Sequence, residues 1–135
     1  MSITVKRNHQ SPMGHTVRIR AHELTTDVSA AEGGSDAGPS PHDLYDAALA
    51  SCKALTVLWY AQRKKIPLHD IEVHTQSDGS QERQGIYRLA TTIKLGGDLT
   101  EAQRQELLQA AGKCPVHKLM ASVTNIGERL YVMPG

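Results

Sequence analysis

The sequence predicts an α+β fold: antiparallel strands packed on a long central helix, with shorter helices toward the C-terminal end. Three observations carry this. The alternating stretches ITVK and HTVRIRAH open the chain, and a long apolar run, DLYDAALASCKALTVLWYAQRKK, occupies its middle. Two further strand patterns then flank the polar turn SDGSQERQG. At 135 residues the chain is expected to form a single domain, 1–135, with a core of its own.

The elements follow in order. In HTVRIRAH, Val17, Ile19 and Ala21 face one way while Thr16, Arg18, Arg20 and His22 face the other. Ser29 to Pro41 reads as a flexible Gly/Ser/Pro loop; too little chain precedes it for a separate domain. Ser40-Pro41-His42-Asp43 then supplies an N-cap serine, a proline at the first helical position and a carboxylate near the positive end of the dipole. The helix is expected to run to about Lys65, with Arg63, Lys64 and Lys65 at its negative end and Pro67 beyond it. Leu44, Ala48, Cys52, Leu55 and Trp59 recur every three or four residues and define its expected buried stripe. Strands are expected near Ile71–Gln76 and Ile86–Leu95. Thr100 and Gln103 form a capping box for a second helix ending at Gly112, and Cys114-Pro115 opens a short third one. A last strand is expected around Ile126–Met133.

Composition narrows the function classes. A formal charge of +1 gives no electrostatic case for nucleic acid. MSITVKRNHQ lacks the apolar region of a signal peptide, and no run is long enough to span a bilayer, so a cytoplasmic protein without membrane partners is expected. Phenylalanine is absent and aromatics are few, leaving a core of Leu, Ile, Val and Ala. Such a core gains less burial per residue, which points to an extensive dimer interface.

There are two cysteines, Cys52 in the long helix and Cys114 in KCPVHKLM. In a cytoplasmic protein a disulfide between two cysteines is more often transient and catalytic than structural. A cysteine on an apolar stripe is most often packing, whereas a thiol at a helix N-terminus meets unpaired N–H groups that stabilise its thiolate. By that reasoning alone Cys114 is the reactive thiol.

GPSPHDLYDAALASC and KCPVHKLM together resemble the OsmC/Ohr family of thiol-dependent peroxidases, in its branch with a GPSP-DL motif and a KCPVH motif. The resemblance covers nearly the whole chain and implies an OsmC-like fold assembled as an intertwined homodimer. It also implies roles: Cys52 attacks an organic or hydrogen peroxide and becomes a sulfenic acid, Cys114 condenses with it to a disulfide, and a dithiol reductant of dihydrolipoyl or thioredoxin type resets the pair. That order reverses the one given by the helix dipole. No cofactor is implied.

One position departs from the pattern. The family's peroxidases carry a Glu ten positions before the first cysteine, paired with an Arg that holds the thiolate; here that position is His42, followed by Asp43. Ten helical residues span about 15 Å at 1.5 Å each, so neither reaches Cys52 of its own chain, and either would act across a dimer interface. Arg20 is the candidate cation, with Arg18 two residues earlier. The departure keeps a second reading open: a non-catalytic module of the same fold that binds a small hydrophobic ligand in the dimer groove. Cys114 and His117, three apart on a helix, could ligate a metal, but with Cys52 and His42 they form no clustered doublets, and no metal is expected. His9, His15, His22, His69 and His74 share no spacing and read as surface residues.

Overall fold

The computed structural model describes residues 2–122 and 126–134. Its contacts gather into two compact units, Met1–Ala48 with Thr75–Thr91 and Leu49–His74 with Thr92–Gly135. The fold is α+β, with two small antiparallel sheets and three α-helices among the described residues.

The first unit opens with a meander of β1 (Ile3–Arg7), β2 (His15–Ile19) and β3 (His22–Thr26). Its antiparallel register pairs Val5 with Val17 and Val17 with Leu24, which aligns apolar residues across one face. Within HTVRIRAH the first strand ends at Ile19, and β3 turns back to pair with it. Arg20-Ala21 is the two-residue turn between β2 and β3, with Arg20 in the left-handed region at φ 55°. No Gly, Asn or Pro announces that turn.

The loop before the long helix is tied down rather than flexible. Asp27 is almost fully buried, and its carboxylate accepts from the Ser11 hydroxyl at 3.0 Å and from the backbone N–H groups of Val28, Ser35 and Ala37 at 2.8–3.3 Å. The carbonyl of Pro39 accepts from the Thr26 hydroxyl at 2.7 Å and from the Asp27 N–H at 3.2 Å. Gly38 lies flat against this join. A Cβ there would stand 2.2 Å from the Thr25 carbonyl oxygen, so only glycine fits without a shift.

The loop thus delivers Ser40 to the start of α1 (Pro41–Lys64). The Ser40 hydroxyl accepts from the Asp43 N–H at 3.1 Å and the Asp43 carboxylate accepts from the Ser40 N–H at 2.9 Å, a reciprocal cap. The helix follows the expected bounds, but the expected stripe is not the buried one. Leu49, Lys53, Val57 and Ala61 are buried, one residue along, while Ala48, Leu55 and Trp59 are exposed and Leu44 and Cys52 half-buried.

In the second unit, Val57 and Ala61 of α1 meet Leu99, Leu107 and Ala111, with Ile66, Leu68, Ile71, Ile93 and Leu95 packed around them. Leu107 and Ala111 belong to α2 (Glu101–Ala111), and both halves of the Thr100–Gln103 capping box are formed, at 3.1 and 2.9 Å. The sheet residues come from β4 (Leu68–Asp78), which reaches past the expected strand at both ends, and β5 (Arg88–Gly97), which is shifted two residues along from the expected one. The last helix, α3 (Pro115–Met120), has Cys114 at its N-cap.

The final strand expected at Ile126–Met133 does not form. Residues 126–134 have no regular structure, and Ile126, Leu130, Tyr131, Val132 and Met133 are exposed. A strand needs a neighbouring edge to satisfy its backbone, and none of the described residues pairs with these. Among the described residues no helix is long and apolar enough to cross a membrane.

Candidate functional site

Both cysteines are free thiols and both belong to the second unit. Cys52 lies midway along α1, half-buried, with its sulfur 3.9 Å from the Thr56 hydroxyl one turn on. Cys114 is wholly buried at the corner between α2 and α3, where its N–H donates to the Ala111 carbonyl and its carbonyl accepts from the Lys118 N–H. Pro115 has no N–H to offer, so Val116 and His117 supply the first donors of α3.

Those donors serve both sulfurs, with opposite results. Burial pushes the Cys52 thiol up, but hydrogen bonds from the Cys114 thiol, the Val116 N–H and the Thr56 hydroxyl, with the charge of Lys53, outweigh it and leave Cys52 below the ordinary thiol value. For Cys114 burial dominates. Its role as donor to Cys52 and the nearby Cys52 charge add to that rise, and the N–H groups of His117 and Val116 only partly offset it. The two thiols are thus pushed apart, Cys52 toward thiolate and Cys114 toward neutral thiol. Helix position favours Cys114, whereas burial raises that thiol and the Val116 N–H at the α3 N-terminus lowers the less buried Cys52.

Sequence reasoning missed Lys53. It is nearly fully buried, and its ammonium donates to the Ala111 carbonyl at 3.0 Å and to His117 Nδ1 at 3.0 Å. The signal was its spacing with Leu49, Val57 and Ala61, a second stripe of the same period.

The other expected residues lie in the first unit. Asp43 is exposed and caps α1. His42 Nε2 lies 2.6 Å from the Glu82 carboxylate and its ring meets Tyr87 edge-on at 5.8 Å. With Pro41 and Tyr45 these residues line an open, largely apolar cavity of about 350 Å³. Arg20 borders a shallow cleft with Ser2, Thr4 and Arg18, and Arg18 pairs with Glu23 at 2.6 Å, exposed on both sides. An exposed pair of this kind is worth about 0–1 kcal/mol. The structure therefore brings Cys52 and Cys114 together, and gives neither Arg20 nor Asp43 a hydrogen bond or ion pair to a thiol among the described residues. Among those residues no group of three or more His, Cys, Asp or Glu could hold a metal ion.

An α+β scaffold presenting a buried thiol beside a half-buried one defines a small dithiol protein. The chain belongs to the OsmC-like family: the family model described as OsmC-like protein matches residues 33–128. No curated protein matches it. Among solved structures it is similar to an OsmC-like protein from Mycoplasma pneumoniae, at 20% identity and TM-score 0.74, over 90% of this chain and 87% of that one. It is also similar to an organic hydroperoxide resistance protein OsmC from Legionella pneumophila, at 18% identity and TM-score 0.67, over 88% and 87% of the two chains. The organic hydroperoxide resistance protein OhrB of Bacillus subtilis matches at 22% identity and TM-score 0.59, over 87% of each chain. At such identities the likeness is one of fold.

Proposed function

We propose that this protein is a cytoplasmic, homodimeric dithiol peroxidase. The Cys52 thiolate attacks one oxygen of an organic or hydrogen peroxide, forming an S–O bond as the O–O bond breaks. The leaving alkoxide or hydroxide takes a proton and departs as alcohol or water. The Cys114 thiol then attacks the Cys52 sulfenic acid, loses its proton, and the sulfenic hydroxyl leaves as water. A dithiol of dihydrolipoyl or thioredoxin type reduces the resulting disulfide by exchange and is itself oxidised. Asp43, acting across the dimer interface, and Arg20 as a cation are proposed to complete the site.

The observation that carries this reading is a pair of free thiols, Cys52 half-buried on α1 and Cys114 buried at the N-cap of α3, in an environment that lowers the first toward thiolate and raises the second. The exposed apolar side chains of Leu55, Trp59, Ile126, Leu130, Tyr131, Val132 and Met133 support the dimer, since a second chain would cover them. Single-turnover reaction with cumene hydroperoxide, followed by counting free thiols, is the test. Loss of both thiols per chain is expected. No loss would remove the peroxidase reading.

The second reading is a binding module without turnover. It is favoured by one observation, the apolar cavity bounded by Tyr45 and Tyr87, with His42 where the family's peroxidases carry Glu. Retention of a small hydrophobic ligand together with unreacted thiols is its signature.

A further inference from the structure

Lys53 is a buried ammonium without an acid partner. Its exposure is only 5%, and no carboxylate pairs with it among the described residues. A buried charge with no counter-ion is costly and is retained where something of opposite charge compensates it. Neither of its partners is a carboxylate. Ala111 offers a carbonyl and His117 its Nδ1, each accepting a hydrogen bond from an ammonium that can only donate.

These two bonds also fix where the charge sits. Ala111 lies three residues before Cys114 and His117 three after it, so the ammonium joins the two sides of the corner that carries the buried thiol. Lys53 itself is the neighbour of Cys52 on α1. An ammonium has three N–H groups, and the third has no acceptor among the described residues.

We infer that Lys53 is the resident counter-charge of the Cys52 thiolate, held in place by Ala111 and His117, and that this chain carries its thiolate-holding cation on the same helix as the nucleophile. The inference rests on the proposed role of Cys52 and adds the residue that positions and charges it. Burial raises the Cys52 thiol, and hydrogen bonds from Cys114, Val116 and Thr56 lower it; the Lys53 charge adds the smallest lowering and is the one cation among these groups.

The test needs no peroxide. The rate of Cys52 alkylation by iodoacetamide is followed against pH by peptide mass spectrometry, in wild type, Lys53→Met and Lys53→Arg, with thermal melting measured alongside. The expected result is a midpoint moved to higher pH in Lys53→Met, with a several-fold slower reaction at neutral pH, and a return toward the wild-type midpoint in Lys53→Arg. A folded Lys53→Met protein with an unmoved midpoint would overturn the inference, even if its melting temperature falls, because a purely structural lysine changes stability alone. Should Lys53→Met not fold, wild-type protein with Cys52 capped as the neutral methyl disulfide replaces it. The ¹⁵N resonance of the Lys53 ammonium should then titrate at lower pH than in the uncapped protein, and identical titrations would overturn the inference. A protein that alkylates as expected but consumes no cumene hydroperoxide loses the peroxidase reading and keeps this one.

Discussion

Replacing Cys52 with serine should reduce peroxide consumption to background and leave Cys114 unoxidised by one equivalent of cumene hydroperoxide. Burial holds the Cys114 thiol up, so at neutral pH it offers little thiolate to replace the lost nucleophile. Cys114→Ser should behave differently. Cys52 still reacts once, then stops as a sulfenic acid that dimedone traps, because no thiol remains to displace the hydroxyl. Mass spectrometry of both variants after one equivalent of peroxide reads the outcome directly. Dimedone on Cys114 in the Cys52→Ser protein would reverse the roles and restore the order that helix position alone suggests.

The largest stability effect is expected at Leu107. Its side chain is wholly buried between α2 and the Val57–Ala61 face of α1, with Leu99 and Ala111 beside it. Leu107→Ala should cost about 2–5 kcal/mol, the range for a leucine truncated in a packed core. Few large side chains are available to close the gap, since the chain has no phenylalanine and one tryptophan, which is exposed. Thr100→Ala removes the N-cap of the same helix without opening a cavity and should cost about 1 kcal/mol. Urea unfolding of the two variants compares them. Equal losses would mean that the core around Leu107 collapses onto the smaller side chain.

What the sequence shows clearly is what neighbours in the chain decide. The Ser40 and Thr100 caps, the proline after Cys114 and the polar turn before β5 each depend on a few consecutive residues, and each is found in its expected place. The buried face of α1 is different. Leu44-Ala48-Cys52-Leu55-Trp59 and Leu49-Lys53-Val57-Ala61 have the same helical period, and periodicity does not say which apolar stripe a chain covers with its own residues. A lysine in the buried stripe is explained only by acceptors far away in sequence. The last strand fails for a related reason: Ile126–Met133 has suitable residues, but an edge to pair with is a property of the fold.

For the same cause, the opposite shifts of the two thiols are not legible in the sequence. Val116 donates to a sulfur on another helix, and the burial of Cys114 depends on α2 and α3 closing around it. Helix position is local information; desolvation is not. Asp27 makes the point once more, since a Gly/Ser/Pro run reads as loose chain until a single carboxylate is seen to gather its N–H groups.

Trp59 gives the molecule a built-in optical reporter. It is the chain's sole tryptophan, 61% exposed, on the open side of α1 and two turns beyond Cys52. An indole in water emits toward the red and is open to collisional quenchers. Any body that settles on this side of the helix moves the emission to the blue and shields the ring, so fluorescence follows coverage of the face without a label. Because the fluorophore is separate from both sulfurs, the same cuvette can follow association while the thiols stay reduced.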